Sequence, residues 1–175
     1  MNIEFLESEN ILEYRADAIV NPGNVDLWIN SSIGQELLIY GGDSIELEAL
    51  AQLPVIQGEA IVTSAGKLKN FNIIIHAIVY GREYWFPTYQ SIEQGMYNSL
   101  AMANEYKVKS IIIPLLGEVN RKINLEGISQ AMLSGLRRFL KDYPKSSIEE
   151  IKFIIPEEEA LDVFFSVFAK SQEKV

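Results

Sequence analysis

The chain of 175 residues has no cysteine and only one histidine. Without cysteine there are no disulfides, no thiolate nucleophile and no thiolate-bound metal. A single histidine leaves no histidine cluster for zinc, so neither a metal nor a cofactor is expected. Long uncharged apolar runs are missing as well. A bilayer needs about 20 consecutive apolar residues, so no membrane association is expected. The start, Met1-Asn2-Ile3-Glu4, lacks the basic segment and apolar core of a secretory signal. A cytoplasmic location fits these absences. Positive charge is scarce: 15 Lys and Arg stand against 24 Asp and Glu, a net charge of −9. With no basic stripe to offset that balance, neither DNA nor RNA is expected as a partner. A small anion stays possible, because a helix N-terminus holds phosphate without net positive charge.

Apolar residues make up 48% of the chain, enough to bury a sizeable core in one domain spanning residues 1–175. The tail, residues 170–175, is expected to fray. The apolar pattern alternates between strand and helix. Strands are expected at 3–7, 18–20, 60–62, 72–79, 109–116 and 151–155, and the run at 72–79 reads as a central buried strand. Helices are expected from Ser31 or Ser32 to Gly41, from Ser44 to near Pro54, and over 89–106, 125–143 and 160–169. This alternation predicts an α/β fold of three layers, with a mixed, mainly parallel sheet and helices on both faces.

One stretch organises the rest. Ala18-Ile19-Val20 runs into Asn21-Pro22-Gly23-Asn24, residues that stop a strand and do not start a helix. A strand end leading through a loop into a helix is where open α/β folds bind ligands. Asn21 and Asn24 offer amide donors and acceptors there. A plain strand-to-helix turn accounts for the same residues.

Four ordered segments decide between these readings. Asp17-Ala18-Ile19-Val20-Asn21 with Asn24 is the first, and Gly58-Glu59-Ala60-Ile61-Val62-Thr63 the second. Ile73-Ile74-Ile75-His76-Ala77-Ile78 is the third. The fourth is Tyr97-Asn98-Ser99-Leu100-Ala101 followed by Ser110-Ile111-Ile112-Ile113-Pro114. Together they resemble the macro domain, an ADP-ribose-binding module, over roughly residues 2–168.

The resemblance implies a cleft across the strand ends that takes ADP-ribose or a related adenine nucleotide, free or on an ADP-ribosylated protein. It places Asn10 at the adenine, with asparagine where the family has aspartate; Asn10 serves equally as a turn residue. Ile11 and Asn21 count among the ligand-binding residues, and Asn24 falls at the ribose. The first phosphate loop maps onto Asn30-Ser31-Ser32-Ile33-Gly34, where serines replace glycines; a helix cap and nothing more accounts for them equally well. The second maps onto Gly117, Glu118, Val119, Asn120, Arg121 and Ile123. Gly117 fits its pattern. Val119 and Lys122 stand where glycines are expected, and Ile123 replaces an aromatic. Glu118 puts negative charge beside the expected diphosphate. Arg121 and Lys122 either reach the phosphates or form a solvated basic pair.

No catalytic residue is assigned, and Asn24 is only a weak candidate. In the family's hydrolases an aspartate follows the glycine loop, but Gly34 stands in its place and has no side chain to act as a base. His76 is expected to be a structural strand residue. The aromatics Tyr80, Tyr84, Trp85, Phe86 and Tyr89 either stack on the ligand or cover the core. Two other functions stay open: protein contacts without a nucleotide, and ADP-ribosyl hydrolysis with a non-standard base.

Overall fold

The computed structural model describes residues 1–82, 86–120 and 122–172. In chain order the elements are β1 (Asn2–Glu7), a 3-10 turn (Ile11–Glu13), β2 (Ala18–Asn24), α1 (Ser32–Gly41), α2 (Ser44–Leu50), β3 (Ala60–Ser64), β4 (Ile73–Tyr80), α3 (Tyr89–Glu105), β5 (Ser110–Ile113), α4 (Leu125–Asp142), β6 (Glu150–Ile155) and α5 (Glu158–Gln172). The strands form one six-stranded sheet in the order β1-β6-β5-β2-β4-β3. Every pairing is parallel except β3 with β4.

Side chains alternate across a strand, so each central strand feeds two cores. Val20, Ile75, Ile111 and Phe153 point to one face, where Met96, Leu100, Met132, Phe139 and Phe164 of α3, α4 and α5 cover them. Ile19, Ile74, Ile112 and Ile154 point to the other, against Leu37 of α1 and Ile45 of α2. This two-sided burial is why these strands are apolar almost without interruption. It builds the three layers, with a mixed, mainly parallel sheet between helices on both faces. The α3–α4 contact is close: a side chain at Gly135 would collide with the Glu93 carbonyl oxygen.

Two of the boundaries that differ from the sequence reading shape the site. β2 does not stop before Pro22 but pairs with β4 as far as Asn24, while its ladder with β5 covers only Ala18 and Ile19. From Val20 onward that side of β2 has no strand partner, so a residue without an N–H is tolerated. β5, in turn, ends at Ile113 rather than Leu116.

At the opposite end β2 is pinned. The Asp17 carboxylate accepts from the Lys109 N–H at 2.8 Å and the Ser110 N–H at 3.2 Å. The Asp17 carbonyl accepts from the N–H groups of Asn72 and Ile73 at 2.9 and 3.2 Å. Among the described residues, no helix is long and apolar enough to cross a membrane.

Candidate functional site at the split between β2 and β5

Adjacent strands β2 and β5 send their chains in opposite directions, β2 toward β4 and β3, β5 toward β6. This is the switch point at which open α/β sheets form a crevice. A cavity of about 390 Å³ opens there. Ser31, Ser32 and Ile33 at the start of α1 form one wall, and Gly117, Glu118 and Val119 after β5 form the facing wall. The floor is apolar, with Pro22, Leu115, Ile128 and Ala160, and Tyr80 closes one side. A wider groove of about 890 Å³ lies between α3 and α4. Two of its polar residues, Asn124 and Tyr89, are engaged in holding the start of α4. Asn124 caps α4 through the Gly127 N–H, and the Tyr89 hydroxyl accepts from the Asn124 N–H.

The first wall is fastened to the core. The Ser31 hydroxyl accepts from the Gly34 N–H at 2.9 Å, capping α1, and donates to Asn21 Oδ1 at 2.7 Å. Asn21 Nδ2 lies 3.1 Å from His76 Nδ1, and His76 Nε2 lies 3.0 Å from the Thr63 hydroxyl. His76 is fully buried, and burial pushes its pKa down to about 4, with Glu48 opposing the shift only in part. It is a neutral bridge between strands, as expected for a structural residue. The cap spends the Gly34 N–H, while those of Ser32 and Ile33, first and second in the helix, have no carbonyl within it. They sit on residues that line the cavity, at the positive end of the helix dipole.

The second wall holds itself. The Asn120 carboxamide oxygen accepts from the N–H groups of Lys122 and Ile123 at 2.8 and 3.3 Å, and the Asn120 N–H donates to the Ile123 carbonyl at 3.0 Å. Asn120 is thus the staple of this loop, and Ile123 is buried in the core. Val119 is exposed, and its backbone is not among the left-handed positions. The loop follows a path that needs no glycine there. Glu118 lies on the rim. Burial raises the Tyr80 phenol above its ordinary pKa, and the Glu118 carboxylate pushes the same way.

Other residues singled out from the sequence lie away from the lining. Asn10 is exposed and donates to Glu13 Oε1 at 2.7 Å, while Ile11 is buried in the core beneath α1. Asn24 is buried in its own loop. Its Nδ2 donates to the Trp28 carbonyl at 2.8 Å and to Asn30 Oδ1 at 3.2 Å, and its Oδ1 accepts from the Asp26 N–H. Gly34 is buried where a Cβ would sit 2.7 Å from Ile29 and 3.0 Å from Asn21 Oδ1. Arg121, Tyr84 and Trp85 lie outside the described residues. Among the lining residues that the sequence reading did not assign to the site, Pro156 and Glu157 reach the cavity because β6 lies next to β5.

The macro domain family model matches residues 18–132. The chain belongs to the macro domain family. An uncharacterized protein of Saccharolobus solfataricus is 30% identical over 168 residues, covering 94% of this chain and 91% of its own. A macro domain of Oceanobacillus iheyensis solved with ADP superposes with a TM-score of 0.82 at 18% identity, covering 99% of this chain and 93% of that one. A Trypanosoma brucei macro domain in complex with ADP-ribose gives a TM-score of 0.79 at 16% identity, over 95% of this chain and 69% of that one. These likenesses establish the macro domain fold. In this macro domain the apolar floor suits a flat ring, and the first turn of α1 suits an anion.

Proposed function

We propose that this macro domain binds ADP-ribose or a related adenine nucleotide in the cavity between β2 and β5, and that it is a binding module rather than a hydrolase. The observation that carries this reading is the arrangement of two loops around one cavity. The capped start of α1 faces the loop after β5 across the strand ends. Solved macro domains of the same fold hold ADP-ribose and ADP, which supports the ligand class. Gly34 supports the absence of hydrolysis, because no carboxylate fits at that buried position. The loop after β5 is the divergent one, with Glu118 on the rim and Val119 in a place the family gives to glycine.

Glu118 and Glu157 on the rim favour a second reading, a macro domain that acts through protein contacts without nucleotide. Calorimetric titration with ADP-ribose, with ADP and AMP as controls, separates the two. The expected result is saturable binding of ADP-ribose. Ligand at about 100 times its Kd stabilises the fold by about 2.7 kcal/mol. Ser32→Glu puts a carboxylate at the first turn of α1 and is expected to weaken binding at least tenfold without lowering the melting temperature, since an acidic residue there suits the helix dipole. No heat and no melting shift at millimolar ADP-ribose would overturn the nucleotide reading in favour of the second.

A further inference from the structure

A chain of buried side chains crosses the sheet from the edge strand β3 to the start of α1. It runs from Thr63 through His76 on β4 and Asn21 on β2 to Ser31. Thr63, His76 and Asn21 are each at most 3% exposed. The polarity of every link follows from its two ends. The Gly34 N–H can only donate, so the Ser31 oxygen accepts from it, and the Ser31 proton is left to point at Asn21. At the far end the Thr63 hydroxyl donates to the Ser64 carbonyl at 3.0 Å, so its oxygen accepts from His76 Nε2–H. His76 Nδ1 then carries no proton and accepts from Asn21 Nδ2–H. That orientation presents Asn21 Oδ1 to the Ser31 proton. In this arrangement each buried donor meets an acceptor.

We propose that Thr63 and His76 are positioning residues for the anion-binding turn of α1, fixing Ser31 and through it the Ser32 and Ile33 N–H groups from across the sheet. The proposal rests on the reading of that turn as the phosphate site. Neither residue lines the cavity, so their effect on a ligand passes through Asn21 and Ser31. It assigns one tautomer, Nε2–H, to the only histidine in the chain. It also gives the four residues a shared fate, in which a loss at Thr63 is felt at Gly34.

The test uses the full chain, labelled with nitrogen-15, in three forms: wild type, Thr63→Val and Thr63→Ser. Valine matches threonine in shape, so the fold is expected to survive, which a melting curve checks; serine keeps the hydroxyl. In wild type at neutral pH, long-range proton–nitrogen spectra of the imidazole are expected to show the Nε2–H tautomer. Thr63→Val is expected to shift the backbone amide resonances of Ser32, Ile33 and Gly34 and to weaken ADP-ribose binding about threefold to tenfold. Thr63→Ser is expected to restore both. An Nδ1–H tautomer in wild type, or unchanged α1 amides in a folded Thr63→Val, would overturn the proposal. If wild type binds no adenine nucleotide, the nucleotide reading fails, whereas the tautomer and the amide shifts still decide the chain of hydrogen bonds. If serine fails to restore the amides that valine shifts, the hydroxyl is not what transmits the effect and the proposal falls.

Discussion

The two loops that face each other across the cavity are held in opposite ways. The turn before α1 is tied inward, through Ser31 and Asn21 to a histidine buried in the sheet. The loop after β5 is held by hydrogen bonds within itself, through Asn120, and it carries exposed Glu118 and Val119. The difference separates two tasks. On the proposed reading the core-bound wall places the anion, and its anchored residues Ser31 and Gly34 cannot change without cost to the fold. On the same reading the facing wall sets how strongly the anion is held, and its exposed residues Glu118 and Val119 are free to vary. The first wall carries a working helix cap at Ser31, whereas the second presents the carboxylate of Glu118.

The contrast can be broken at its strongest point first. Gly34→Asp places a side chain against Ile29, Ser31 and Asn21. It is expected to cost about 3 kcal/mol or more of stability, read from denaturant unfolding, and to create no hydrolase activity. A stable, active Gly34→Asp would show that the first wall is as free to change as the second.

Acid is the next lever. His76 has a pKa near 4 in the folded state, set by burial, against about 6.5 in the unfolded chain. Between these values the unfolded chain takes up a proton that the folded one refuses, so stability falls as pH drops through this window. Full loss of this contribution by about pH 4 amounts to about 3 kcal/mol. Urea midpoints measured from pH 7 to pH 4 are expected to track this decline, and His76→Gln is expected to flatten it.

The smallest effect is on the second wall. Glu118→Gln removes one negative charge from the rim and is expected to tighten ADP-ribose binding about tenfold with no change in melting temperature. An unchanged affinity would mean that the rim does not set the strength of binding.

The layers were legible in the sequence because two-sided burial leaves strands such as Ile73–Tyr80 apolar almost throughout. The helix spacing and the Ser31 cap were legible for similarly local reasons. The continuation of β2 through Pro22 and Gly23 was not, because it depends on β5 leaving its side after Ile19. Spacing also gave residues without their directions. Asn24 and Gly34 sit beside the cavity in the chain, yet they face into their own loop and into the core. Pro156 and Glu157 reach the cavity through strand order, which no local pattern carries.

Asp17 gives the middle of the sheet the mechanics of a tuning fork. One carboxylate and one carbonyl clamp the starts of three strands at the handle, and the tines β2 and β5 run free of each other beyond Ile19 and Ile112. The three strands are therefore locked in register at one end, and the divergence that opens the cavity is confined to the other.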